Sequence, residues 1–119
     1  MNEVGVDIVD IARFAKAMER ESFLQKFFHP EEIAYARASA KPEQHLAARF
    51  AAREAVRKVL LSKVSSLDWK DSWILNDQNG KPVLHFSRDL LKRVRIRHSS
   101  VSLSHSGDYA VAVVLIEVR

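Results

Sequence analysis

The stretch EQHLAARFAAREAVRKVLLSK, residues 43–63, constrains the fold more than any other part of this chain. It is rich in alanine, leucine, arginine and lysine, the residues that lose least on entering a helix. Ala47, Ala51, Ala55 and Val59 recur every four residues and form a small-residue packing stripe, thickened by Leu46, Phe50 and Leu60. Pro42 breaks the chain just before it. A stripe of this kind has to be covered by another layer of secondary structure.

The candidate layers lie on both sides of the helix in sequence. Residues 3–9, EVGVDIV, place Val4, Val6 and Ile8 on one face of a strand and Gly5, Asp7 and Val9 on the other. ARFAKAMERES (12–22) predicts a short helix, with Phe23, Leu24, Phe27 and Phe28 an apolar knot after it. His29-Pro30-Glu31-Glu32 predicts a helix start, with proline early and acids where the helix dipole favours them. Asn79-Gly80, between DWKDSWILND and KPVLHFS, is a strong hairpin signal. SRDLLKRVR (87–95) predicts a short helix capped by Ser87. SSVSLSHS (99–106) alternates as a strand buried on one face, and Gly107-Asp108 turns it into YAVAVVLIEV (109–118). That last segment is apolar on both faces and is expected at the centre of a sheet. The order strand, three helices, hairpin, helix, hairpin predicts an α+β fold, an antiparallel sheet packed against a long central helix and shorter helices.

A chain of 119 residues fits a single domain, residues 1–119, and one so small gains from oligomerisation. There is no cysteine, so any metal must rest on oxygen or imidazole ligands. Glu3, Asp7 and Asp10 interrupt the apolar start, which argues against a signal peptide, and no apolar run approaches a membrane span. A cytoplasmic protein is expected. The net charge of +4 suggests a polyanionic partner: nucleic acid, a phosphorylated cofactor or an acidic protein.

Some positions invite chemistry, each with a plainer reading beside it. Asp7 is a carboxylate in an apolar strand, costly without a partner or a metal; a strand end facing water or an arginine would explain it equally. Glu54 and Lys58 stand four apart in the long helix, which is also the spacing of a common surface ion pair. Arg49, Arg53 and Arg57 form a ridge suited to phosphate oxygens or merely to solvent. His105, in Ser104-His105-Ser106-Gly107-Asp108, sits where turn amides, hydroxyls and an imidazole would cradle an anion, or where a polar turn residue is needed. His29, His45, His85 and His98 have no metal-ligand spacing, and no glycine-rich phosphate loop or HExxH is present.

Four motifs taken in order are more specific than any of these. GVDIVDIARF, ARFAAREAVRK, NGKP and SLSHSGDYAVAVV resemble, in sequence and approximate spacing, the holo-acyl-carrier-protein synthases, small 4′-phosphopantetheinyl transferases, across essentially the whole chain. The resemblance implies Mg²⁺-dependent transfer of 4′-phosphopantetheine from coenzyme A to a serine of an apo acyl carrier protein, in fatty acid biosynthesis. It places Asp7 and Glu54 as metal ligands, Glu54 and Lys58 as catalytic, and Arg49, Arg53, Lys58 and His105 in the coenzyme A site. Arg13 falls on a basic residue that meets the acidic helix of the carrier protein. Mn²⁺ would accept the same oxygen ligands. The resemblance also implies a homotrimer with active sites between protomers, Asp7 and Glu54 of one chain facing His105 of the next. No nucleic acid or membrane partner is expected.

The chain departs from the family pattern twice. Arg53 stands where a lysine usually precedes the metal-binding glutamate, and the Gly-Thr-Gly turn after the long helix is replaced by Leu61-Ser62-Lys63-Val64, so this loop must take another path. The competing reading is a weak or inactive homologue that binds coenzyme A or a carrier protein, motivated by that missing turn. Retention of Asp7, Glu54, Lys58 and His105 together speaks against it. A nucleic-acid-binding domain is motivated by charge alone and lacks an aromatic stacking platform.

Overall fold

A computed structural model describes residues 2–119. The chain opens with β1 (Asn2–Asp10) and passes directly into α1 (Ile11–Ala17), whose first turn is capped by the Asp10 carboxylate accepting from the Arg13 amide. A turn at residues 18–20 then separates α1 from α2 (Glu21–Phe27). The single helix expected over 12–22 is therefore two, and most of the phenylalanine knot lies inside the second. The break lets Phe14, Phe23 and Phe27 all meet Phe50, with ring centroids 5.6, 6.1 and 5.5 Å away. One straight helix would point them in diverging directions.

α3 (Pro30–Arg37) starts where expected: His29 Nδ1 accepts from the Glu31 amide, and Glu32 accepts from the His29 amide. α4 (Pro42–Leu60) is the long helix, and Pro42 is its first residue rather than a break before it, because a first-turn amide has no helical partner to lose. A 3₁₀ turn (Trp69–Asp71) leads to β2 (Ser72–Asn76), and Asn79-Gly80 turns it into β3 (Pro82–Phe86). α5 (Arg88–Arg93) is capped by the Ser87 hydroxyl accepting from Leu90 N. The antiparallel pair β4 (Ile96–Ser106) and β5 (Tyr109–Val118) completes the chain.

β5 is central, flanked by β1 and β4 in an antiparallel sheet, and β2 and β3 form a separate two-stranded sheet. The alanine stripe of α4 is covered as required: Ala51, Ala55 and Val59 pack with Ala112, Val114 and Ile116 of β5. A second cluster, with Ala47 and Ala48, buries Phe14, Leu24, Phe28 and Ile33. Gly5 lets β1 cross α4 almost backbone to backbone, since a Cβ there would stand 2.5 Å from the Ala55 carbonyl oxygen and 2.9 Å from a Val59 methyl. The face of β1 that meets the helix is therefore Gly5-Asp7-Val9. Its apolar face points outward, with Val4, Val6 and Ile8 exposed at 63%, 54% and 59%.

The end of α4 closes without glycine. Leu61 stays right-handed, the Ser62 hydroxyl donates to the Val59 carbonyl at 2.9 Å, and the amides of Lys63 and Val64 both reach the Leu60 carbonyl. Tightened bonds and a serine hydroxyl thus satisfy carbonyls that a left-handed glycine would otherwise serve.

Candidate active site

The close crossing of β1 and α4 assembles the first group of side chains. Lys58, on the exposed edge of α4, donates from Nζ to Asp7 Oδ1 at 2.8 Å and to the Val6 carbonyl at 3.0 Å. Lys58 is thus not only a helical partner of Glu54; it ties helix to strand. Glu54, one turn earlier, is partly buried. Burial, and then the neighbouring charge of Asp7, push its carboxyl above the ordinary carboxylate range, against the opposing pull of Arg57 and Lys58. The hydrogen bond and charge of Asp7 hold the Lys58 ammonium protonated beyond its usual range.

Asp7 and Glu54 thus share one locus, with Lys58 already paired to Asp7. Hard oxygen donors of this number suit Mg²⁺, which takes one or two carboxylates and completes its shell with phosphate oxygens and water. Among the described residues no cluster of three or more histidine or carboxylate side chains is placed to hold a metal, so protein alone does not complete a cage. The pair fits an ion shared with a phosphorylated substrate.

The second group lies across the sheet. Tyr35, His45, Arg49, Asn76 and His105 line a cleft of about 210 Å³ between α3, α4, the β2–β3 hairpin and β4. Arg49 is buried and gripped: it donates to the His45 carbonyl at 3.2 Å and to Asn76 Oδ1 at 2.5 Å, over the Tyr35 ring at 4.9 Å. Its Nε is buried with no protein acceptor. Burial is the main reason its guanidinium holds its proton less tightly than usual. His105 is exposed, just before the turn in which Gly107 takes φ +58°. In register, His105 faces Ala110 on β5, and Ala110 faces Val9 on β1. Asp7 and His105 therefore lie on the two edge strands of the sheet, β1 and β4, while Arg49, Glu54 and Lys58 all stand on α4.

Arg53, expected in the cofactor site, lies in neither group. It is 1% exposed and forms a two-pronged ion pair with Glu32, itself fully buried, donating from NH1 to Oε2 at 2.8 Å and from NH2 to Oε1. Its Nε donates to the Trp69 carbonyl at 3.0 Å, and Glu32 also accepts from the Ile74 amide at 2.8 Å. All three guanidinium nitrogens of Arg53 are engaged inside the core, where a ligand has no access. Arg57 is likewise used, donating to the Leu67 carbonyl and lying 4.2 Å from the Trp69 ring centroid. The arginine ridge is thus structural at two of its three positions. Arg13 is exposed on α1, beyond both groups.

The residues not singled out from sequence are Tyr35, His45 and Asn76. His45 stands four positions before Arg49, a spacing that places both on one helical face and was a readable signal. Tyr35 and Asn76 come from other elements and carry no such signal.

Comparison with known proteins identifies the family. Residues 3–114 match the model of the 4′-phosphopantetheinyl transferase superfamily. A holo-[acyl-carrier-protein] synthase of Moorella thermoacetica is 40% identical over 98% of this chain and 94% of its own length. The solved Helicobacter pylori holo-[acyl-carrier-protein] synthase, in complex with coenzyme A, superposes with a TM-score of 0.86 at 30% identity, covering 97% of this chain and all of that one. The Neisseria meningitidis holo-[acyl-carrier-protein] synthase gives 0.84 at 28% identity, covering 96% of each chain. With its strand–helix carboxylate pair, its cationic cleft and relatives that match it nearly end to end, this chain belongs to the 4′-phosphopantetheinyl transferase superfamily, among the holo-[acyl-carrier-protein] synthases.

Proposed function

We propose that the chain transfers 4′-phosphopantetheine from coenzyme A to a serine of an apo acyl carrier protein, leaving adenosine 3′,5′-bisphosphate, in service of fatty acid biosynthesis. The observation that carries this reading is the Asp7–Glu54–Lys58 group held at the β1–α4 crossing. The serine oxygen forms a bond to the β-phosphorus while the bridging bond to the α-phosphate breaks. Glu54, directly or through bound water, would accept the serine proton. Lys58 holds Asp7 in place and carries positive charge toward the diphosphate. Asp7 and Glu54 would hold Mg²⁺, or Mn²⁺ with the same oxygen ligands, and the ion when bound supplies charge neutralisation for the transferring and leaving phosphoryl groups.

Arg49 and His105 would hold the phosphate-rich end of coenzyme A, and exposed Arg13 would meet the acidic surface of the carrier protein. Asp7 and His105 stand on the two edge strands of one protomer, and the family resemblance pairs Asp7 and Glu54 of one chain with His105 of a neighbour. The outward rows Val4–Leu115, Val6–Val113 and Ile8–Val111 supply an apolar face for that contact. A homotrimer joined there is the reading this supports; an in-solution mass of one chain under assay conditions would count against it.

Intact-mass spectrometry of an apo acyl carrier protein incubated with the chain, coenzyme A and Mg²⁺ tests the activity. The expected result is a phosphopantetheine-sized mass gain that EDTA abolishes. No gain across several carrier proteins would overturn the reading.

A further inference from the structure

We propose that His45 is a third polar ligand of the phosphate that seats against Arg49 and His105, and that seating it there draws a proton onto the His45 imidazole. This rests on reading the Arg49–His105 cleft as a cofactor site. His45 stands one turn before Arg49 on α4 and lines the same cleft as His105 on β4. Its ring meets Tyr35 of α3 edge-on, with centroids 5.4 Å apart, so its orientation is set by packing. The groups facing it are Tyr35, Arg49 and His105, and no carboxylate lines the cleft. Arg49 is positioned by the His45 carbonyl and by Asn76, which also donates to the Gly80 carbonyl at 2.8 Å. A fixed cation, two imidazoles and no counter-charge make a seat for an anion.

The protonation follows from the same surroundings. With the cleft empty, burial first, then the charges of Arg49 and His105, lower the proton affinity of His45. A phosphate dianion among the same groups reverses the charge balance and favours the imidazolium, which offers two donors where the neutral ring offers one. Binding is therefore expected to take up a proton, so affinity is greatest at the acid side and falls as pH rises through the imidazole range. The phosphate concerned is the 3′-phosphate at the nucleotide end of the cofactor.

The test is isothermal titration calorimetry of the full chain with coenzyme A between pH 6 and 8, in buffers of different ionisation enthalpy. Wild-type protein is expected to take up protons on binding. H45F is expected to take up fewer and to bind about tenfold more weakly at pH 6, the loss of one charge-assisted hydrogen bond, with a smaller deficit at pH 8. H45Q, which keeps a polar side chain that cannot titrate, should lose the same proton uptake. Dephospho-coenzyme A should show little difference between wild type and either variant. Coenzyme A binding with proton uptake unchanged in H45F and H45Q would overturn the role of His45 while leaving the cofactor site intact. Failure of the wild type to bind coenzyme A would overturn the site itself and this inference with it.

Discussion

Gly5→Ala is the smallest change that should damage both stability and activity. An alanine Cβ at this position would lie 2.5 Å from the Ala55 carbonyl oxygen, 3.2 Å from the carbonyl carbon and 2.9 Å from a Val59 methyl. Non-bonded carbon contacts settle near about 3.5–4.0 Å, so β1 must withdraw from α4 by roughly 1 Å. Two of the three obstacles are helix backbone, which has no rotamer to yield. Overpacking of this kind costs about 1–3 kcal/mol, and a rigid obstacle argues for the upper half of that range. Asp7 lies two residues along the same strand and is held to Lys58 at 2.8 Å. A displacement of about 1 Å breaks that geometry, and misplacement on this scale costs on the order of 100-fold in rate. Urea denaturation would read the first effect, and turnover on apo acyl carrier protein at saturating coenzyme A the second. A variant with wild-type midpoint and wild-type turnover would refute the claim that β1 and α4 are in backbone contact at Gly5.

Further changes separate the remaining roles. Glu54→Gln is expected to remove most turnover while leaving the denaturation midpoint at or above wild type, and wild-type turnover would sink its assignment as metal ligand and base. Because the folded carboxyl of Glu54 has a raised proton affinity, metal-free protein should lose stability as pH rises from the ordinary carboxylate range through the raised value. Thermal melts across that window should show the decline in wild type and a flatter profile in Glu54→Gln. Glu32→Ala strands the Arg53 guanidinium in the core and should cost about 3–5 kcal/mol by urea denaturation, whereas Glu32→Leu with Arg53→Met should recover much of it. His105→Ala should raise the KM for coenzyme A more than it lowers kcat, and the reverse split would place His105 in the chemical step.

Local signals made most of the elements readable from the chain alone. The four-residue alanine repeat, the Ser87 cap, the Asn79-Gly80 turn and the two-faced apolar run of β5 each depend on neighbours within a few residues. The motif resemblance also carried the family, because its four segments keep their order and spacing. The turn at residues 18–20 was not legible, since the demand that splits the helix comes from Phe50, far along the chain.

Only the tertiary structure decided how equivalent-looking residues are used. Arg49 and Arg53 share one helical face, yet one opens onto a cleft and the other is spent on Glu32, which arrives from α3. Alternation in β1 defined two faces without saying which meets the helix; the missing Cβ of Gly5 turned Asp7 inward and left the valines outside. Local propensity acts over a few residues, and burial is conferred by whatever distant segment packs there. The chain's elements and family were therefore present in its order of residues, while the identity of its free cations emerged only on folding.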